Sequence, residues 1–534
     1  MIGDPVLRAG IPWRVVVYAS DLPTSPGQLR LILRQGGKEL SELLVELPQA
    51  AQADGAVLAP VAAVAGPDPV AIDLSVERLE RTAGTTDRVL ARATATIPTA
   101  AGIARDYQHA AAGIVARVGD RSSGDAADLH RALGDHLLTQ PPSLAVCTRL
   151  AVLAAALSGE VAAAEPFGRP WRDEIDGGVR GVRRAGEWSR ADDPVVAVIG
   201  SADPLLGGRI SSVDPGELPP ALLAGKVALV APGGNPHWAA QRLLAQAVFA
   251  QCGNSSCFGE IESTKQMAMP VVIVAGIGSG AEAAIVWAQR HVPSGMRPPV
   301  VLINPRFARL DQLGDPADFR GVPLVVVGDG DPAAERWVTS VAAAGAAISR
   351  RTPGSLVADD LAPRTWPKAL PQSASPQAPS YAGGPFTVVI GTGESLAAAA
   401  DARALAERFA EAWLAYSGAR PRLVEDSAPE TAWVGNLVLI GTTRSNRVLA
   451  GLAVQCSRSQ RPLPVEWDHR ERRSQAMGRV VVEHRSLIRP FALAWPFPDR
   501  PGRLLVILDG APAWPTAPGW RLGDLPLAGL GVRQ

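Results

Sequence analysis

The residues with the most chemical promise lie in Gly276-Ile277-Gly278-Ser279-Gly280, between an apolar run (Val271 to Ala275) and an alanine-rich segment reaching about His291. A strand, a glycine corner and a helix in that order make a nucleophile elbow, which lifts one side chain clear of a sheet between small neighbours. The usual spacing, G-x-S-x-G, puts the nucleophile at position 278, where this chain has glycine. Ser279 carries the adjacent hydroxyl. Were it the nucleophile, Ile277 would occupy the position two residues before it and crowd the corner. A serine hydroxyl is also a weak nucleophile without a base beside it.

Acyl transfer needs three further parts: an oxyanion hole, an acid after a late strand, and a histidine last in chain order. Ile199-Gly200-Ser-Ala-Asp203 occupies the oxyanion region and lacks the usual histidine. Val327-Gly-Asp-Gly-Asp-Pro332 suits the acid, with Asp331 the better candidate. The histidine is expected after Pro353-Gly354, but Thr352 to Asp360 contains none, and no histidine occurs between His291 and His469. His237 or His469 remains as a distant substitute base.

Bulk properties set outer limits. The chain has 534 residues, 47% of them hydrophobic and 19% charged, which is the balance of a multidomain globular protein. Its 52 basic and 52 acidic residues cancel, so it lacks the basic footprint of a nucleic-acid binder. The basic residues are arginine except for Lys38, Lys226, Lys265 and Lys368, a bias that points to codon usage before chemistry. Cys252 and Cys257 share a polar loop, as a disulfide or as two thiols, without further zinc ligands at the needed spacing. His130 and His136 fall on one helix six residues apart, off a shared face, and are expected to be solvated rather than metal ligands. Neither a metal nor a cofactor is expected. The N-terminus shows no basic segment followed by an apolar run, so no signal peptide is expected. The most apolar stretch, Leu150 to Leu157, is too short to span a bilayer.

Positioning elements follow in order. Residues 1–98 carry short alternating strands: Trp13–Tyr18, Leu29–Arg34, Leu43–Leu47, Ala71–Val76 and Val89–Ile97. Pro23-Thr-Ser-Pro-Gly27 and Gly66-Pro-Asp-Pro69 punctuate them, and the pattern predicts a β-sandwich. Residues 99–169 turn helical. Residues 170–370 alternate continuous apolar strands (Val195–Ile199, Val227–Val230, Val271–Val274, Val300–Ile303, Leu324–Val327) with helices, predicting a doubly wound parallel α/β sheet. Residues 371–384 have the Pro/Ser/Ala composition of an exposed tether. Residues 385–534 form a smaller α/β unit. In it Gly391-Thr-Gly-Glu-Ser395 resembles a phosphate cradle but has Leu396 where a third glycine would stand, so a tight structural turn is expected. The 13 tryptophans, several beside proline (Trp366, Trp495, Trp514), are expected in cores and edges.

On these motifs, residues 170–368 resemble the α/β-hydrolase domain of bacterial prolyl-oligopeptidase-like and esterase-like proteins. The unit from Pro385 resembles the C-terminal extension of some members, through Gly391-Thr-Gly393 and Gly441-Thr442. The resemblance covers about two thirds of the chain. It implies a nucleophile at Gly278, an acid at Asp331 and a base near Leu356 or Val357, and by analogy export from the cytoplasm. Two of the three groups are missing. The expectation is therefore a degenerate hydrolase with a vestigial elbow (Gly276, Gly278, Ser279, Gly280) and a vestigial acid (Asp331), acting as a binding or structural subunit. Its partners are expected to be other proteins or further copies of itself. The alternative is an active serine esterase or peptidase with a relocated triad.

Overall fold

The computed structural model describes residues 2–3, 13–18, 28–35, 38–46, 56–61, 71–80, 88–114, 121–158, 167–188, 194–203, 205–252, 272–290, 295–308, 310, 313–366, 384–393, 395–458, 466–467, 479–482, 485–488, 491–496 and 504–509. Contacts divide the chain into two compact units, 1–163 and 164–534.

Among the described residues the first unit carries seven strands in two antiparallel sheets where a sandwich is expected. Strands β1 (Ile2–Gly3), β2 (Trp13–Tyr18) and β5 (Ala56–Val61) form one, in the order β1-β2-β5. The sequence reading misses β5. Its Pro60 removes a ladder donor and is tolerated because β5 lies at an edge. The second sheet runs β4-β3-β6-β7, with β3 (Gln28–Gln35), β4 (Lys38–Glu46), β6 (Ala71–Glu80) and β7 (Arg88–Pro98). Leu31, Leu33 and Leu74 are buried on one of its faces. On the other, Glu77 lies in register between Arg30 and Arg92 and pairs with both.

The described helices of this unit are α1 (Ala100–Ile114), α2 (Arg121–Leu138) and α3 (Leu144–Ser158). His130 is buried, which corrects the solvated expectation. It shares a face of α2 with Gly134 and Leu137, and Tyr107 of α1 packs so closely over Gly134 that a Cβ there would meet its ring. Helix α2 packs against both α1 and α3, so its inward face is covered, which a single-helix pattern does not reveal. His136 stays half-exposed. Among the described residues no helix is long and apolar enough to cross a membrane.

The second unit is built on an eight-stranded sheet. Its strands are β8 (Arg169–Arg172), β9 (Val179–Gly186), β10 (Val195–Ile199), β13 (Lys226–Val230), β14 (Val272–Ile277), β16 (Val300–Ile303), β17 (Pro323–Val327) and β18 (Ala347–Arg351). The order is β8-β9-β13-β10-β14-β16-β17-β18, and β9 alone runs antiparallel to both neighbours. Counted along the sheet, that is 1-2-4-3-5-6-7-8, a parallel-dominated arrangement consistent with an α/β-hydrolase-like fold. A hairpin of β11 (Ala202–Asp203) and β12 (Gly207–Ser211) and a short helix α4 (Pro220–Leu223) connect β10 to β13. The long helices α5 (Pro236–Cys252), α6 (Gly280–Arg290) and α7 (Pro332–Ala343) share one core with Val195, Ala197, Val274, Leu302 and Val326. The alternate strand residues Val196, Val198, Ile273, Val301 and Val325 pack instead on Leu222 of α4, Leu356 and Leu361. Among the described residues the sheet is therefore helix-covered mainly on one face, and short segments cover the other.

A short antiparallel pair, β15 (Gly295–Arg297) with β19 (Arg364–Trp366), lies before residues 367–383, so most of the expected tether falls outside the described residues. Beyond it, β20 (Phe386–Ile390), β21 (Leu423–Glu425), β22 (Asn436–Ile440), β26 (Phe491–Pro496) and β27 (Leu504–Asp509) form a sheet in the order β21-β20-β22-β27-β26, with only β26 antiparallel. Helices α8 (Leu396–Ser417) and α9 (Arg447–Arg458) accompany it, and β23 (Glu466–Trp467), β24 (Arg479–Val482) and β25 (Arg485–Ile488) make a separate three-stranded sheet.

The smaller sheet is fastened to the larger one. The end of α8 docks on the carboxyl edge of the large sheet, where Gly234 N–H donates to Tyr416 O (3.2 Å) and a Cβ on Gly234 would run into the Ala415 carbonyl. Beneath this contact Arg180 reaches Asp176 (2.7 Å) and Asp173 (3.3 Å), and its Nη2 donates to Ser417 O (3.0 Å). Arg242 Nη2 pairs with Asp173 (2.8 Å), and Trp413 Nε1 donates to Asp176 (2.9 Å). Burial opposes ionisation of Asp176, yet the charge of Arg180 and the surrounding donors hold its pKa below the usual carboxylate range. Replacing Arg180 by alanine would leave two buried carboxylates without this partner. Arg180→Ala is expected to cost about 3–5 kcal/mol in guanidinium unfolding; a loss below about 1 kcal/mol would show that the cluster does not hold the two sheets together.

Candidate functional site

Continuous burial on both faces fixes β14 in the centre of the large sheet, between β10 and β16. The strand runs into the corner as expected, and Gly278 and Ser279 make the turn before α6. Gly278 has φ +57°, in the left-handed region that a nucleophile on such a corner must adopt. Its N–H donates to Ile303 O (3.0 Å) and its carbonyl accepts from Arg306 N–H (3.0 Å), which ties the turn to the end of β16.

The glycines of the corner do different things. A Cβ on Gly280 would run into the Ile199 carbonyl oxygen, and one on Gly276 would lie 2.5 Å from the Ala281 Cα. A Cβ on Gly278 would meet only the Ser201 hydroxyl, at 3.1 Å. Gly276 and Gly280 thus serve close backbone approach, whereas the seat at position 278 is open to a side chain.

The expected oxyanion region does reach the corner. Ser201, just past β10, receives a hydrogen bond from the exposed Ser279 hydroxyl (Oγ to Oγ, 3.0 Å), and its carbonyl accepts from Ser212 N–H (3.3 Å) and Oγ (2.9 Å). Among the described residues no imidazole joins this hydroxyl pair. His237 lies buried in the first turn of α5, and His469 falls outside the described residues.

Asp331 stands at the neighbouring strand end. Its carboxylate caps α7 by accepting from Ala334 N–H (2.7 Å) and accepts from Phe307 N–H (3.2 Å), while its own N–H donates to Pro305 O (2.9 Å). It braces the 305–307 loop whose Arg306 N–H holds Gly278. At the position implied for the base, Leu356 is 5% exposed and packs with Ile303, Val327 and the partly buried Ile277. Val357 is 53% exposed. The loop carrying them is clasped by Arg351, which donates to both oxygens of Asp360 (2.8 and 2.7 Å). Sequence reasoning misses this clasp because Asp360 is unremarkable until β18 and the following turn bring it to Arg351.

The structure thus brings Ser201, Gly278, Ser279, Asp331 and Leu356 to one edge of one sheet. Among the described residues the groups at this site are two hydroxyls that bond each other, a carboxylate that caps a helix, and an apolar side chain at one of the two positions implied for the base.

The other glycine turn also closes on protein groups. Gly391 N–H donates to Ile440 O (3.1 Å) and Gly393 N–H to Ser445 O (2.8 Å), so these donors are directed at carbonyls. The buried carboxylate of Asp426 accepts from Arg447 N–H at the start of α9 (2.7 Å) and from the Thr392 hydroxyl. Cys252 ends α5, and Cys257 lies outside the described residues. Among the described residues no group of three or more His, Cys, Asp or Glu is arranged to hold a metal ion.

No family model matches the sequence, and no curated protein is similar to it. Among solved structures the chain is similar to the crystal structure of a phospholipase/carboxylesterase from Dyadobacter fermentans DSM 18053, at 15% identity and a TM-score of 0.21 over 35% of this chain and 96% of that one.

Two predictions follow from the corner and the clasp. Gly280→Ala is expected to lower the thermal midpoint well beyond Gly278→Ala, because the first displaces backbone while the second meets only the left-handed strain of about 1–2 kcal/mol. Equal losses would contradict the division of roles. Hydrogen bonds from Arg351, working against burial, hold the Asp360 pKa below the usual carboxylate range. A depressed folded pKa means this contribution is full above the unfolded value, about 4, and is lost as pH falls through the folded one. Urea midpoints of Asp360→Asn should therefore lie below those of the parent protein at pH 7 and converge with them in acid; a pH-independent gap would contradict the assignment.

Proposed function

We propose that this protein is a catalytically degenerate α/β-hydrolase-fold protein that acts as a binding or structural subunit. The observation that carries the reading is the apolar burial of Leu356, one of the two positions implied for the base, beside an elbow whose nucleophile seat is Gly278. An idle active site would need only one chemical group removed. Here the seat is glycine, the two positions implied for the base are the buried Leu356 and the exposed Val357, neither of which can take a proton, and Asp331 is engaged as a cap and loop brace. The corner survives because β10, β14 and α6 need it to pack.

In this reading the work passes to surfaces. The N-terminal strands, read as a sandwich, and the docked C-terminal sheet supply faces for other proteins or for further copies of the chain. Purified protein is expected to hydrolyse p-nitrophenyl acetate no faster than a Ser279→Ala variant and no faster than buffer with an equal concentration of an inert protein. Turnover that falls at least a hundredfold in Ser279→Ala or Ser201→Ala would overturn the reading and support a relocated serine triad instead. Co-purification of the tagged full chain, read by mass spectrometry, then identifies the partner.

A further inference from the structure

Helix α9 of the smaller sheet carries an outer face that contacts within the chain do not account for. Val448, Leu449, Leu452 and Cys456 are buried and face inward. Arg447, Gly451, Val454 and Arg458 recur at helical spacing, fall on the opposite side and are exposed. Two of these residues break local helix rules. Glycine in a helix interior is disfavoured relative to alanine, and its use is to let another backbone come close. Nothing lies within 4 Å of the point where a Cβ on Gly451 would stand, so no contact inside the chain requires it. Arg447 sets a cation in the first turn, at the positive end of the helix dipole.

The charges of this face are unspent. The helix contains no acidic residue. Among the described residues no carboxylate pairs with the side chain of Arg447, of Arg458 or of Arg444 in the preceding turn. Asp426, at the helix start, is buried and engaged by the Arg447 backbone N–H (2.7 Å) and the Thr392 hydroxyl. Val454, one turn beyond Gly451, is 53% exposed.

Small residues at a helix contact let two helix axes approach closely. A bare glycine with an exposed valine one turn on suits such a contact, and the cations at both ends select its charge. A second copy of α9 would set arginine against arginine in either direction. An interfacial membrane helix needs large apolar residues where α9 presents Gly451 and Val454. The balanced charge of the whole chain lacks the footprint of a nucleic-acid binder.

We propose that the outer face of α9 docks a helix of another protein, which presents small or apolar residues to Gly451 and Val454 and carboxylates to Arg447 and Arg458. This rests on the binding-subunit reading and names the chemistry of the partner. The face does not include the elbow, so hydrolysis at Ser279 would sink that reading while the measurements below would still stand or fall by themselves.

The first measurement needs no partner. Gly451→Ala is expected to raise the thermal midpoint of the full chain and Gly451→Leu not to lower it. A midpoint lowered by Gly451→Ala would overturn the proposal, because the glycine would then serve the chain's own packing. The second places the photo-crosslinker p-benzoylphenylalanine at the exposed Gln455 of the tagged full chain, irradiates it in its native cells and reads the adduct by mass spectrometry. A peptide of another protein with Asp and Glu at helical spacing is expected. Its yield should fall at least tenfold in Gly451→Leu and in the double variant Arg447→Glu with Arg458→Glu. Far-UV circular dichroism checks folding, and Gly451→Leu decides the question if the double variant does not fold. The proposal is overturned if no adduct forms, if the adduct is a second copy, a nucleic acid, a lipid or a peptide without acidic residues, or if a folded variant keeps the parental yield.

Discussion

The approach of Gly280 to the Ile199 carbonyl is the contact on which the centre of the large sheet depends. It lets α6 start directly against the end of β10, which in turn lets β14 sit between β10 and β16 with both faces buried. The turn at Gly278 follows from that contact, since the chain must reverse within two residues. A left-handed residue at the corner costs little when it is glycine. An elbow is therefore a packing solution before it is a catalytic device, and its geometry can persist after the reactive atom has gone. The same reasoning covers the edge around it. Asp331 keeps a capping role, and Leu356 contributes about 2–3 kcal/mol of apolar burial where an imidazole would have to be kept hydrated or paired.

How far the sequence reveals this depends on whether the determining contacts are local. The five apolar runs from Val195 to Val327 were legible because a strand buried on both faces has no polar alternation to disguise it. Strands β9 and β18 escaped. Val179-Arg-Gly-Val-Arg-Arg-Ala-Gly and Ala347-Ile-Ser-Arg-Arg carry the arginines of strands near or at a sheet edge. The strand, corner and helix around Gly278 and the place of Asp331 after a late strand could be read from spacing alone. That Leu356 fills an apolar cluster could not, because Ile277 and Ile303 meet it only once the sheet is assembled. The burial of His130 was hidden for the same reason.

The seam between the two sheets was the least visible feature. Arg180 and Ser417 are 237 residues apart, and so are Asp176 and Trp413. The composition of residues 371–384 suggests independent parts, yet the end of α8 is set among Gly208, Gly233 and Gly234 with backbone against backbone. Such contacts tolerate little sliding. Arg180, held by Asp173, Asp176 and Ser417, closes the inside of this seam.

The claim at the centre of this account is that the elbow is kept for packing and holds no activated hydroxyl. Intact-mass spectrometry after exposure of the full chain to a fluorophosphonate tests it most directly, because the reagent reports serine activation without knowledge of a substrate. The account predicts an unmodified mass at reagent concentrations that label active serine hydrolases to completion. A stoichiometric adduct mapping to Ser201 or Ser279 would contradict it.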